Sequence, residues 1–244
     1  MKFNFFEVGG KVRDEILGIQ SKDVDYVAVP SDDLINEIKF PNEMFNILES
    51  FLREEGYEIF LVTSDCYTIR AKFPNNHVYS GVADFVMARK EVGYISGTRT
   101  PIIKPGTLFD DLERRDFTLN ALAKKPDGTI VDYFNGLEDL RNGILRTPLP
   151  ANQTFDDDPL RILRAIRFSV TKNFKLSSDI HFAIHQYDYE GKMSVVSDER
   201  IREELFKCFK KDTLQTINIL NKYFTLRDYV FTKTNLWLKP TFEL

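Results

Sequence analysis

The sequence predicts an α+β protein: a strand-rich region followed by helices alone. Three observations carry that reading. Short β-branched and aromatic runs, bounded by Gly, Pro and Asn, recur between residues 3 and 134. From residue 137 strand signals fade, and apolar residues recur at helical spacing over 137–143, 157–170, 178–187 and 197–211. Between the two regions TPLPANQT reads as a linker, with a boundary near 140–150. The expected division is 1–140, 141–211 and a short helical C-terminal region, 212–244.

The elements follow in order. FNFFEV (3–8) reads as a short buried strand ending at Gly9-Gly10. Val12, Ile16 and Leu17 then share a helical face, with Gly18 as the stop. VDYVAV (24–29) alternates and is a second strand, closed by Pro30. Phe45, Leu48, Phe51 and Leu52 define an amphipathic helix over 40–56. Strands are expected at 57–62, 66–73 and 81–87, with a Pro74-Asn75-Asn76 turn. Residues 91–107, rich in Gly, Pro and hydroxyls, read as a long loop of low local stability. Asp110 to Lys124 read as one helix, followed by the strand TIVDYF; residues 212–244 begin helical and fade.

Composition narrows the function classes. At 244 residues with 43% hydrophobic and 29% charged residues, a sizeable core is expected and disorder is not. No apolar run reaches membrane-spanning length, so no membrane partner is expected. The N-terminus does not read as a signal peptide, and Cys66 and Cys208 make neither a disulfide framework nor a zinc spacing. A reducing, cytoplasmic setting is the default expectation. The net charge of -4 argues against a polyanion coat but leaves room for a basic patch.

The most informative feature is Gly9-Gly10 followed by Asp23-Val24-Asp25. Two aspartates at i and i+2 on a strand point to one side, and close carboxylates repel unless a cation lies between them. Mg²⁺ suits such a pair, because it takes one or two carboxylates plus phosphate oxygens. The glycines let backbone approach a phosphate, and Arg13 is near to pair with it. Asp84, in an apolar strand, is a candidate third carboxylate for a two-metal site; a salt bridge with Arg89 is the structural alternative.

Two arginine-bearing segments complete the candidate site. Arg115, Asp116 and Asn120 offer a phosphate clamp and ribose partners, and Asn120 is a poor mid-helix residue unless it has one. Further on, DDDPLRILRAIRF places Pro159 in a first helical turn with aspartates at its cap. Arg161, Arg164 and Arg167 then make a cationic stripe, with no acid between Pro159 and Lys175. That is where a polyanion would dock on an acidic protein; a helix charged outside and apolar inside is the alternative.

With these segments in hand, the chain resembles class II nucleotidyltransferases of the tRNA CCA-adding and bacterial poly(A) polymerase family. The matching stretches are EVGGKVRDEILGIQSKDVDYVAV, DDLERRDFTLNALA, VDYFNGLEDLRNGILR, DDDPLRILRAIRF and SDERIREELFK, spanning most of 7–209 in the family's order. The resemblance implies a polymerase β-like head with a mixed sheet and helices, then an all-α neck that reads the nucleotide base. It implies Mg²⁺ on Asp23 and Asp25. It also implies triphosphate contacts from Gly10 (with Gly9 beside it), Arg13 and Arg115, and ribose contacts from Asp116. Asp158 and Arg161 would pair with the Watson–Crick edge of the base, and Arg164 and Arg167 would add nucleotide contacts. The 91–107 region would help to switch between C and A addition. The implied substrates are tRNA or another RNA 3′ end, CTP and ATP.

Three departures are visible. The acidic dipeptide is Asp157-Asp158 instead of Glu-Asp, residues 31–80 do not match, and the chain stops soon after the neck. The short remnant raises the expectation of a partner, or self-association, in place of the body. The absence of the arginine- and phenylalanine-rich signature of bacterial poly(A) polymerases favours CCA addition. Poly(A) addition, partial CC or A addition, and an inactive RNA- or nucleotide-binding module are the alternatives.

Overall fold

The structure is a computed structural model that describes residues 2–20, 24–38 and 40–233. Asp23 and residues 234–244 lie outside the described residues. The chain packs as two units: Met1–Ile95 with Thr100–Arg141, and Ser96–Arg99 with Asn142–Leu244.

In the first unit β1 (Phe3–Val8) leads through Gly9 into α1 (Gly10–Ile16) and back along β2 (Val24–Pro30). α2 (Asp32–Glu37), which the sequence reading missed, starts at Ser31, whose hydroxyl accepts from the Leu34 amide. α3 (Pro41–Glu54), β3 (Glu58–Thr63), β4 (Thr68–Lys72) and β5 (Val82–Met87) lie close to their expected places. One seven-stranded mixed sheet results, in the order β3-β4-β5-β2-β1, then β8 (Leu122–Lys124) and β9 (Ile130–Asp132). β2 and β5 are parallel; the other pairs are antiparallel.

Alternation along the strands decides the two faces. Phe3, Val24, Ala28, Ile69, Phe85 and Met87 pack under Phe45, Leu48 and Leu52 of α3. Val8, Val27 and Ala123 face the other way, against Leu108 and Leu112 of α4 (Leu108–Glu113). Asp25 and Asp84 have the parity of Val27 and Val86, so they stand on the α4 side. On the α3 side a cavity of about 940 Å³ is lined by rings including Tyr26, Tyr57, His77 and Tyr79.

Two expectations are corrected here. Residues 91–107 are largely a two-stranded ribbon, β6 (Arg89–Tyr94) against β7 (Pro101–Pro105). Gly and Pro suggested a loop, but both prolines sit at the ends of β7, where a missing N–H is tolerated. Nor do 110–124 form one helix. α4 starts at a Thr107–Asp110 capping box and stops at Glu113; a 3₁₀ turn at Thr118–Asn120 and then β8 follow. Asp116 Oδ1 accepts from the Phe117 amide and from Asn120 Nδ2, giving the backbone an alternative to helix.

The motif VDYFNGLEDL then proves to be scaffolding. The Asp132 carboxylate accepts from the amides of Phe134, Gly136 and Leu137, capping α5 (Gly136–Asn142). A Cβ on Gly136 would lie 2.2 Å from the Thr118 carbonyl oxygen, so only glycine lets α5 seat there. Thr118 also donates to the buried Asp139 at 2.7 Å.

The second unit is helical apart from a two-residue pairing of β10 (Ile144–Leu145) with β11 (Lys175–Leu176). The expected linker instead runs into α6 (Ala151–Asp157), whose first amide donates to Asp179 at 2.8 Å. α7 (Leu160–Thr171) buries Ile162, Leu163, Ala165 and Ile166 and packs along α10 (Asp198–Lys211), which buries Ile201, Leu205 and Cys208. Between them lie α8 (Ser178–Gln186) and the short α9 (Tyr189–Lys192), and α11 (Thr213–Lys222) and α12 (Phe224–Lys233) follow. Burial pushes the Cys208 thiol up to about 12, so this cysteine behaves as a core residue. Among the described residues no helix is long and apolar enough to cross a membrane.

Candidate functional site

The first unit gathers Asp25, Asp84 and the predicted phosphate-binding groups on the α4 face of the sheet. Asp25 lies opposite Asp84 in the β2–β5 register, and Asp84 lies opposite Arg70 in the β4–β5 register. Arg70, Asp84 and Asp25 thus form a row across three adjacent strands. Arg70 donates to both Asp84 oxygens at 2.6 Å. The Asp84–Arg89 salt bridge held open above is not made: Arg89 donates to the Cys66 carbonyl and pairs with Glu91.

Gly9 sits where β1 passes into α1, at φ 75. A Cβ there would lie 3.1 Å from Asp25 Oδ2 and 3.4 Å from Arg115 Nη1, besides straining the backbone. The glycine keeps open a cradle between a carboxylate and a guanidinium. Gly10 follows as the first residue of α1.

Arg115 is fixed from below. Its Nη2 donates to Asp111 at 3.1 Å and its Nη1 to the Asn120 carbonyl at 3.3 Å. Its Nε is buried and makes no hydrogen bond, a donor in want of an acceptor. Asp111 is fully buried and also holds Arg114 at 2.6 Å. Burial opposes its charge, but the two guanidinium groups outweigh burial and keep its carboxyl below the ordinary 3.8.

Arg13, Asn120 and Asp116 form one buried chain beside Arg115. Arg13 Nη1 donates to Asn120 Oδ1 at 2.6 Å, and Asn120 Nδ2 donates to Asp116 at 2.9 Å. That explains the asparagine a surface helix could not. Arg13 also pairs with Asp14.

The donor set of Asp25 and Asp84 is carboxylate oxygen, which fits a hard divalent cation and not a soft one. No group of three or more His, Cys, Asp or Glu that could hold a metal occurs among the described residues. Mg²⁺ needs only one or two carboxylates when phosphate oxygens and water complete its shell. The Gly9 cradle and the unpaired Arg115 Nε point to the accompanying anion.

The predicted base-reading residues belong to the second unit, each described there alone. Asp158 joins α6 to α7 in extended conformation, and its Oδ1 accepts from the Leu160 amide at 3.1 Å. Arg99 grips the same carboxylate through two hydrogen bonds, at 2.7 and 2.9 Å. Arg161 donates to the Thr154 carbonyl at 3.3 Å, and Arg164 is partly buried on α7. Arg167 corrects the cationic-stripe reading: it pairs with Glu204 of α10, which is 4% exposed. The missing acid lies 37 residues downstream. The sequence reading missed Asp111, Arg70 and Arg99. Asp111 could have been found four residues before Arg115; the other two depend on cross-strand or long-range partners.

The model of the poly A polymerase head domain matches residues 5–146. An A-adding tRNA nucleotidyltransferase of Aquifex aeolicus is 32% identical over 91% of this chain and 25% of its own length. A CCA-adding enzyme of Leuconostoc mesenteroides is 31% identical over 84% of this chain and 45% of its own. The chain therefore spans less than half the length of either relative. Among solved structures, a Thermotoga maritima CCA-adding enzyme complexed with tRNA is 26% identical, with a TM-score of 0.72 over 98% of this chain and 50% of that one. A tRNA nucleotidyltransferase complexed with a primer tRNA and an incoming ATP analog is 28% identical, with a TM-score of 0.69 over 94% and 60%. With this fold and a family match over more than half its length, the chain belongs to the poly A polymerase head domain family.

Proposed function

We propose that the chain is a template-independent nucleotidyltransferase that adds CCA to the 3′ ends of tRNA from CTP and ATP, releasing pyrophosphate. The observation that carries this is the convergence of Asp25, Asp84, Gly9, Arg115, Arg13, Asn120 and Asp116 on one face of the sheet. Residues 1–140 act as the catalytic head and 141–211 as a base-reading neck.

Asp23 and Asp25, with Asp84 as the third carboxylate, would hold Mg²⁺, which would supply charge neutralisation for the phosphoryl transfer. Arg115, with Gly9 and Gly10 leaving room, holds the triphosphate, and its unpaired Nε finds its acceptor there. Arg13 and Asn120 set Asp116 towards the ribose hydroxyls. Asp158 and Arg161 offer an acceptor and a donor fork to the base, which shares the Asp158 carboxylate with Arg99; a base without the matching groups forgoes about 1–3 kcal/mol.

A second reading, addition of the terminal A alone, is favoured by the name of the Aquifex relative. One experiment separates the two. A tRNA ending before CCA and a tRNA ending in CC are each incubated with Mg²⁺ and singly labelled CTP or ATP. CCA addition extends both substrates; A addition extends only the second. No extension of either would overturn the proposal.

A further inference from the structure

We propose that Arg70 is a positioning residue that holds the Asp84 carboxylate in competition with a divalent cation. Cation binding and release of the Arg70–Asp84 pair would then be a single exchange. This rests on the reading that places Asp84 in the cation site.

A row of three side chains crosses β4, β5 and β2. Arg70, Asp84 and Asp25 are register neighbours on three adjacent strands, so their side chains leave the same face of the sheet. Arg70 uses Nε and Nη2, one on each Asp84 oxygen, both at 2.6 Å. This fork neutralises the carboxylate and takes one lone pair from each oxygen. A cation bridging Asp25 and Asp84 would claim the same charge. Without Arg70, two adjacent carboxylates would repel in the cation-free protein, so Arg70 also stands in for the missing positive charge.

The alternative is an ordinary cross-strand ion pair, of the kind Lys72 makes with Glu58 on β3 at 3.8 Å. Two features separate the two: the Arg70 contact is bidentate and short, and its acceptor neighbours a second carboxylate. The Arg70 and Asp84 side chains are 48% and 24% exposed. A pair this open contributes little to folding and can be exchanged. Asp111, by contrast, holds its arginines in the interior and could not release them without leaving a buried charge.

The test is Mn²⁺ binding to the full chain, without nucleotide or RNA, read from the electron paramagnetic resonance signal of free Mn²⁺. Arg70→Gln should bind Mn²⁺ roughly tenfold more tightly, the size of effect expected when one unit charge beside a dication is removed in a water-exposed site. Its melting temperature should stay close to that of the parent chain. Arg70→Lys, which keeps the charge but not the fork, should fall between. Asp84→Asn should weaken binding, and in that background Arg70→Gln should lose most of its effect. If Asp84→Asn weakens binding but Arg70→Gln leaves it unchanged or weaker, the competition is overturned and the cation site stands. If Asp84→Asn has no effect, the placement of Asp84 in the site fails, and the inference with it.

Discussion

At the scale of single residues, the arginine cluster hangs on Asp111. Its carboxylate, with no exposed surface, is the shared acceptor of Arg114 and Arg115. Removing one partner of a buried ion pair strands the other and costs about 3–5 kcal/mol. Asp111→Asn should therefore lower stability by about 3 kcal/mol, checked by urea denaturation, and release Arg115 from its position beside Gly9. The pH dependence follows from the depressed carboxyl. A group whose folded value lies below its unfolded one stabilises fully above the unfolded value, 3.8 here, and loses that contribution as pH falls through the folded value. The parent chain should thus lose stability on acidification below about pH 4, and the Asn variant should lose less over the same range. Equal acid sensitivity of the two would contradict the assignment. At this scale the sequence was informative wherever the signal was local. The Gly9-Gly10 turn, the parity of Asp25 and the need of Asn120 for a partner could all be read. The Arg70–Asp84 and Arg167–Glu204 pairs could not, because each depends on which elements lie side by side.

At the scale of elements, local chemistry competed with periodicity. Residues 110–124 have helical spacing of apolar side chains, yet Asp116 and Asn120 bond to each other and to backbone, and the chain leaves the helix after Glu113. Gly and Pro in 91–107 hid a ribbon whose prolines lie at the strand ends. TPLPANQT read as a linker because Pro148 and Pro150 dominate it, but Pro150 precedes the first turn of α6, a position proline suits. The α6–α7 junction is where function is expected to be most sensitive. Asp158 serves there both as a cap for α7 and as the partner of Arg99. Asp158→Asn keeps an oxygen for the Leu160 amide but weakens the part-exposed pair with Arg99, so stability should fall by about 1 kcal/mol or less. Base choice should relax, with UTP or GTP entering in single-nucleotide incorporation assays. Unaltered C and A selectivity would leave Asp158 with structural roles alone, at the α7 start and as the partner of Arg99.

At the scale of the whole molecule, the acidic balance of -4 and the buried pairing of Arg167 limit what charge alone can do for RNA binding. The chain spans 25% and 45% of two of its curated relatives, so the proposed transfer chemistry is tested apart from RNA binding. The proposed transfer chemistry rests on Asp25, beside Gly9, and on its register neighbour Asp84. Asp25 is the described member of the predicted pair, partly buried on β2 and next to Asp84. The most direct measurement is Mg²⁺-dependent incorporation of labelled nucleotide into a 3′-truncated tRNA by the parent chain and by Asp25→Ala. Circular dichroism and melting temperature are followed on the same samples. A folded variant with incorporation reduced by about a hundredfold to a thousandfold is expected, the scale on which removing one electrostatic support of a transition state acts. A folded Asp25→Ala protein that incorporates nucleotide at near the parent rate would contradict it.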